Sequence, residues 1–203
     1  MSENMITEMI DLVFDLDGGT IPAAYPFALW SEIVRHAPQL AEEKLVGVLP
    51  LRTAECNEGM LLPKRAKLVL RLPTALTDAA LRLIGSAMQI GSSQLRLGKS
   101  KARPIQPYST IHAQLVTGTS DEVMFMDGIR TQLSEMNITA KLICGKRRTL
   151  AGDQHTIHGY SLVIHDLKPE SSLQLQYAGL GESRQFGCGI FVPYKVISGL
   201  NDD

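Results

Sequence analysis

The feature that most constrains the fold is a change in hydrophobic period that occurs in the same order twice along the chain. Leu12 to Leu16 alternates as a strand does, and Gly18-Gly19 with Pro22 marks a loop. Tyr25 to Val34 then shifts to helical spacing, with Phe27, Trp30, Ile33 and Val34 as its apolar positions. Pro26 is tolerated in the first turn, and Pro38 stops the helix near His36. Leu45 to Leu49 is a short apolar strand and Ala66 to Leu72 an alternating one. Pro73-Thr74 opens a helix that the spacing of Leu76, Ala80, Leu83 and Ile84 carries to about Ser86. Met88 to Leu97 closes the unit as a strand with a bend at Gly91-Ser92-Ser93.

A connector, Lys99 to Pro107, has the Pro content and charge of a linker, and the order then recurs. Tyr108 to Val116 reads as a strand. Asp121 to Met136 reads as a helix with Val123, Met126, Ile129 and Leu133 on one stripe. Ile138 to Cys144 and Gly159 to His165 are strands, Pro169 to Tyr177 is a helix, Gly179 to Gly189 is a glycine-rich loop, and Ile190 to Tyr194 is the final strand. The expected fold is α+β: two tandem ferredoxin-like (RRM-like) βαββαβ units with a glycine-rich loop before the last strand. Its domains would be 1–98, a basic linker at 99–107, and 108–203. A chain of 203 residues accommodates two cores of about 100 residues each.

Net charge is −1, from 20 Lys plus Arg against 21 Asp plus Glu, but the charges are segregated. Residues 1–60 carry ten acids and three bases, 61–120 nine bases and one acid, and 121–203 ten acids and eight bases. Phosphate affinity depends on local cations, so the basic middle third suits a polyanion. A solvated basic face paired with the acidic first third is the alternative. No apolar run is long enough to span a bilayer and the N-terminus is acidic, which predicts a cytoplasmic protein without membrane contact. Cys56, Cys144 and Cys188 share no CxxC spacing and imply neither a disulfide framework nor a zinc knot.

Three features carry possible chemistry. The loop Gly179-Leu-Gly-Glu-Ser-Arg-Gln-Phe-Gly-Cys-Gly189 holds two Gly-x-Gly pairs, Gly179/Gly181 and Gly187/Gly189, around Arg184, which could meet a phosphate. It follows a helix and feeds a strand, and it lacks Gly-Lys-Ser/Thr, so it is neither a dinucleotide fingerprint nor a P-loop. A plain turn-rich link is its alternative. Lys146, Arg147 and Arg148 lie between two expected strands, at a hairpin tip that could grip structured RNA or simply be solvated. Of the histidines, His112 and His165 fall in strands as structural residues, and His155-x-x-His158 with Asp153 or Cys144 is a weak metal motif. His36 alone ends a helix, where an imidazole could reach a cleft.

Together these residues resemble a known family. The paired Gly-hydrophobic-Gly loop before the last strand of a second ferredoxin-like unit is similar to the signature of the CRISPR-associated repeat endoribonucleases, the crRNA-maturing branch of the RAMP superfamily. The segments Leu12 to Pro22, Pro26 to Trp30, Leu142 to Leu150 and Gly187 to Pro193 resemble the small myxobacterial-type members attached to type I effector complexes. The resemblance implies one metal-independent cut at the 3′ base of each repeat stem-loop, leaving a 2′,3′-cyclic phosphate and a 5′-hydroxyl. It implies that the enzyme then stays on the crRNA 3′ handle as a subunit of the effector (Cascade) complex beside its backbone subunits. No cofactor is implied.

Carried onto this chain, the resemblance makes His36 the catalytic histidine and Tyr25, at the start of the same helix, a candidate for orienting the nucleophile. Lys146, Arg147, Arg148 and Arg184 would grip the stem-loop or scissile phosphate, and Lys64, Arg65, Lys99, Lys101 and Arg103 would track the backbone. Aromatic content of 5% favours reading a folded stem by shape and phosphate over base stacking. Two rival readings keep these residues. One is a catalytically silent subunit that only binds and caps the crRNA; the other is a metal-dependent enzyme using His155 and His158.

Overall fold

The computed structural model describes residues 7–194. The first alternating run becomes β1 (Met9–Asp17). Leu12, Phe14 and Leu16 are buried in the core, while Asp11, Val13, Asp15 and Asp17 face the other side, as a two-residue period requires. After β2 (Thr20–Ile21) comes α1 (Tyr25–His36), with Pro26 in its first turn. The buried stripe of α1 is Tyr25, Leu29 and Ile33. Phe27, expected on that stripe, instead packs on Phe186 of the second unit with ring centroids 4.8 Å apart. Its apolar surface belongs to the seam between the units.

The first unit continues with β3 (Gly47–Val48), β4 (Ala54–Cys56), β5 (Gly59–Leu61), β6 (Ala66–Pro73), α2 (Thr77–Leu81), β7 (Ala87–Ile90) and β8 (Ser93–Pro104). α2 is shorter than the spacing predicts. Its C-terminal side tightens into three-residue turns, Leu83 N–H to Ala80 and Ile84 N–H to Leu81, and Gly85 at φ +80° turns the chain back to the sheet. β8 is longer than predicted and absorbs most of the expected linker. Lys101 pairs with Val13, Arg103 with Asp11 and Pro104 with Ile10, because backbone pairing with β1 requires no apolar side chain. Lys101 and Arg103 therefore share with Val13 and Asp11 the face of the sheet opposite the first unit's core.

The second unit contains β9 (Ile111–Thr117), α3 (Glu122–Glu135), β10 (Lys141–Ala151), β11 (Thr156–His165), α4 (Pro169–Ala178) and β12 (Val192–Pro193). Asp121 caps α3, accepting the Met124 N–H at 2.9 Å. The buried stripe of α3 is Phe125, Met126, Ile129 and Leu133. Val123, expected there, is 70% exposed, because the stripe is offset toward Phe125. The main sheets run β3-β6-β1-β8-β7 and β10-β11-β9-β12. Both have the ferredoxin-like order, with β7 added at the edge of the first, and each carries its own apolar cluster. β2, β5 and β4 form a small separate sheet.

One buried ion pair seats the units on each other. Arg71 in β6 donates to both carboxylate oxygens of Asp11 at 2.7 and 3.0 Å, and its Nη1 reaches the carbonyls of Gln176 at 3.2 Å and Phe191 at 2.6 Å. Arg103 lies 3.2 Å from the second Asp11 oxygen. The carbonyls come from α4 and from the strand-entry segment of the second unit, so β6 of the first unit directly fixes the relative placement of the two.

Candidate active site and nucleic-acid interface

β7 and β8 form a hairpin about Gly91-Ser92, paired Ile90 to Ser93, Gln89 to Gln94, Met88 to Leu95 and Ala87 to Arg96. Backbone groups of an antiparallel strand alternate between its partner and its free side, so the Gln89 N–H and Ala87 C=O point off the sheet. α1 covers that edge. Glu32 Oε2 accepts the Gln89 N–H at 2.9 Å, and His36 Nε2, one turn further, lies 3.2 Å from the Ala87 oxygen. An otherwise open edge is thereby blunted by two polar side chains. Arg35 joins them: it forks onto Glu32 at 2.9 and 2.8 Å, and its Nη2 lies 2.9 Å from His36 Nε2. The Glu32 carboxyl is held down to about 2, first by the Arg35 hydrogen bond and also by the Gln89 N–H, with burial opposing. Neither Glu32 nor Arg35 was singled out from sequence. An acid and a base at i and i+3 ahead of a helix-terminal histidine was the available signal.

The same register leads from His36 to a basic groove. Ala87 lies opposite Arg96, and Arg96 opposite Asp17, so the groove wall begins one strand inward from the histidine edge, roughly 5 Å per step. The groove is about 430 Å³ and is lined by Asp15, Asp17, Lys64, Arg65, Lys67, Arg96 and Gly98, with Lys67 bonded to Asp15. Lys64 and Arg65 were expected to track RNA; Lys67 and Arg96 join them on the same surface. Lys99, Lys101 and Arg103 are exposed along β8, continuing the basic line toward the seam.

Lys146, Arg147 and Arg148 are exposed, but they sit within β10 and not at a hairpin tip. The strand passes Cys144 through a bulge and resumes with Arg147 opposite Tyr160 and Arg148 opposite Gly159, so the tip falls at Gly152 to His155. That tip meets α1 at its start, with the His155 ring 6.1 Å from Phe27. His36 is at the other end of the helix, and among the described residues no hydrogen bond or ion pair joins it to the β10 cluster.

Tyr25 and Arg184 lie inside the protein. The Tyr25 hydroxyl accepts the Leu51 N–H at 2.9 Å in the core, and burial pushes its phenol up while that bond pulls it down. It holds the segment after α1 and does not face the His36 network. Arg184 is 6% exposed, and its Nε donates to the Leu45 carbonyl at 3.2 Å. Nη1 and Nη2 have no partner among the described residues, and burial, followed by the charge of Arg71, lowers its pKa to about 10 against the pull of Asp11. Contrary to expectation it is an internal seam residue, because the glycine loop folds inward against β3. Close approach explains the glycines: a Cβ on Gly189, at φ +65°, would fall 2.0 Å from the Leu180 oxygen, and one on Gly179 would fall 2.2 Å from Arg184 Nη1. Gly181 and Gly187 also take positive φ.

His112 packs edge-on to Tyr194 at 5.5 Å, and burial lowers its pKa, partly offset by a hydrogen bond at Val192. His165 contacts Asp166 at 3.3 Å and His158 contacts Thr149 at 3.2 Å. Among the described residues no three His, Cys, Asp or Glu side chains come together as a metal-ligand group, and no helix is long and apolar enough to cross a membrane.

Two ferredoxin-like units in tandem, with a glycine-rich loop folded against the first unit before the last strand, define the class of fold. Solved structures with this architecture include an RAMP protein binding different RNA substrates (TM-score 0.69, 14% identity, 90% of this chain and 98% of that one) and a Cas6-related protein from Pyrococcus furiosus (0.67, 15%, 95% and 100%). A CRISPR endoribonuclease Cse3 bound to 19 nt RNA is more distant (0.53, 12%, 91% and 98%). The family model described as Cas6 Crispr matches residues 10–196, and the chain belongs to the Cas6 family. It is also 31% identical over 186 residues to the CRISPR-associated endonuclease Cas6 of Myxococcus xanthus (strain DK1622), covering 91% of this chain and 81% of that protein.

Proposed function

We propose that the protein is a CRISPR repeat endoribonuclease that cuts precursor crRNA at the 3′ base of the repeat stem-loop, without a metal ion. After cutting, it remains on the crRNA 3′ handle as a subunit of a type I effector complex in the cytoplasm. The observation that carries this reading is the position of His36 in a chain of this family: it is the helix-terminal histidine, with Nε2 at a sheet edge one strand from a groove containing four cations.

The chemistry fits that placement. A ribose 2′-oxygen attacks the adjacent phosphorus, the bond to the 5′-oxygen breaks, and one proton leaves the nucleophile while another reaches the leaving group. Imidazole can exchange either proton near neutral pH. Lys64, Arg65, Lys67 and Arg96 hold the phosphate backbone approaching this edge, with Lys101 and Arg147 to Arg148 extending the contact surface.

Incubating the protein with repeat RNA in EDTA is expected to yield a 2′,3′-cyclic phosphate end. A 2′-deoxy nucleotide before the cut should abolish product, and His36→Ala should abolish cleavage while retaining binding. Cleavage by His36→Ala at the wild-type rate would remove His36 from the mechanism. A silent crRNA-capping subunit draws on one observation, the commitment of the Tyr25 hydroxyl to Leu51, which leaves His36 without the second group expected on α1. Tight stem-loop binding with no product after prolonged incubation would establish that reading instead.

A further inference from the structure

The Glu32-Arg35-His36 network contains more than the proposed reaction uses. The Arg35 guanidinium has five N–H donors. One on Nε and one on Nη2 go to Glu32, and a second on Nη2 points to His36 Nε2. Among the described residues both on Nη1 are left, on a side chain 58% exposed, while Glu32 is only 15% exposed and is tied to the sheet by the Gln89 N–H. The carboxylate therefore sets the plane of a guanidinium whose outer edge faces solvent beside the imidazole.

The two neighbours of His36 Nε2 want opposite proton states. Arg35 can only donate, to a bare nitrogen, whereas the Ala87 oxygen can only accept, from a protonated one. Nε2 is 2.9 Å from the first and 3.2 Å from the second, so the nitrogen stands between a donor and an acceptor.

We propose that Arg35 is a second catalytic residue, whose Nη1 edge holds a non-bridging oxygen of the scissile phosphate while His36 Nε2 exchanges the proton, and that Glu32 is the residue that positions it. This rests on the reading of the chain as a His36-dependent repeat ribonuclease. In the step, the O2′–P bond forms as the 2′-hydroxyl loses its proton and the P–O5′ bond breaks as the 5′-oxygen takes one up, one transfer passing through His36 Nε2 and the other through water. Arg35 neither gains nor loses a proton, and its charge meets the second negative charge that builds on the phosphorane oxygens. The planar fork matters because it can face Glu32 and a phosphate at once, which an ammonium cannot.

The test is single-turnover cleavage of saturating repeat RNA, with Kd measured separately on a 2′-deoxy repeat. Arg35→Ala is expected to cut about 100-fold or more slowly, on the scale of losing one transition-state donor, while Kd changes by less than about threefold. Arg35→Lys should recover only part of the rate. Guanidinium ion at millimolar levels should accelerate Arg35→Ala and leave His36→Ala unchanged, a rescue that a structural role would not give. Glu32→Gln should slow cleavage about tenfold with Kd unchanged. If Arg35→Ala cuts within threefold of wild type while His36→Ala is dead, the assignment of Arg35 fails and that of His36 stands. If His36→Ala cuts normally, both fail. A rate loss matched by an equal loss of binding, without guanidinium rescue, places Arg35 in binding alone and overturns the proposal. Should Arg35→Ala unfold, Arg35→Lys carries the same comparison, and a wild-type rate in it would overturn the requirement for the fork.

Discussion

The seam between the units holds two buried cations and one buried carboxylate, and this imbalance predicts an order of mutational cost. Arg71 is 1% exposed, Arg184 6% and Asp11 3%. Removing one partner of a buried pair typically costs about 3 to 5 kcal/mol, because the other is left uncompensated. In Arg71→Ala, Asp11 keeps Arg103 at 3.2 Å and the field of Arg184, while the Gln176 and Phe191 carbonyls each lose a donor worth about 1 kcal/mol. The sum falls near the lower end, about 3 kcal/mol. In Asp11→Ala, Arg71 keeps its two carbonyls, but both guanidinium charges remain with no carboxylate between them, and the cost rises to about 5 kcal/mol. Urea unfolding followed by Trp30 fluorescence and far-ultraviolet circular dichroism reads the difference, or a fall in Tm of about 2 to 4 °C per kcal/mol for a chain of this size. Arg184→Met removes the like charge and one bond to the Leu45 carbonyl, and it should recover about 1 to 2 kcal/mol in the Asp11→Ala background. Asp11→Ala costing less than Arg71→Ala, or no recovery in the double variant, would refute this electrostatic account.

Other outcomes follow from the same structure. The Glu32 carboxyl, held at about 2 against an ordinary 4.5, stays ionised in the folded chain where the unfolded chain takes up a proton. Its stabilisation is complete above pH 4.5 and is lost between pH 4.5 and 2, so Glu32→Gln should flatten the fall of Tm across that window; an unchanged slope would count against the assignment. Gly189→Ala, combining φ +65° with a Cβ 2.0 Å from the Leu180 oxygen, should cost roughly 3 kcal/mol or more by thermal unfolding. If about six of the groove and β10 cations meet phosphates, log K against log salt should fall with a slope of about −4 to −5 despite a pI near 6.5, and Arg147→Glu with Arg148→Glu should shallow it by about 1 to 2.

What was legible in the sequence was local. Period carried α1, α3 and the order of the main elements, because each depends on neighbours a few residues apart. The course of β8 was obscured by composition: Lys99, Lys101 and Arg103 suggest solvent, and a strand paired through its backbone at an exposed sheet end looks the same. Phe27 and Val123 fell on the wrong side of their helices because apolar spacing does not say which core a residue enters. The seam was hidden for a different reason. Asp11 and Arg71 pair across 60 residues, and their only local trace is a single charge inside each apolar run, Ile10-Asp11-Leu12 and Leu70-Arg71-Leu72. Arg184 looked like a phosphate contact because the glycines around it imply close approach. They do approach closely, but to the protein's own backbone. In the candidate site His36 could be named from its place at the helix end, whereas the fork of Arg35 onto Glu32 and the open edge of β7 needed coordinates.

The seam also sets a timetable for synthesis. Its hydrogen bonds from Arg71 and to the Leu45 carbonyl join residues 105, 120 and 139 positions apart, and their partners in the second unit lie between Gln176 and Phe191. The first unit can close its own sheet once Pro104 has emerged, yet the face bearing Arg71, Phe27 and the Leu45 carbonyl stays uncovered until Phe191 follows. At ordinary translation speeds that interval is about 4 to 17 s, long compared with the folding of either unit. A nascent chain therefore displays half of a finished interface, with an apolar ring beside an ion pair, for as long as the ribosome takes to supply the rest. Synonymous codon changes between residues 105 and 191, which alter the interval without altering a single side chain, act on the yield of folded protein at this stage.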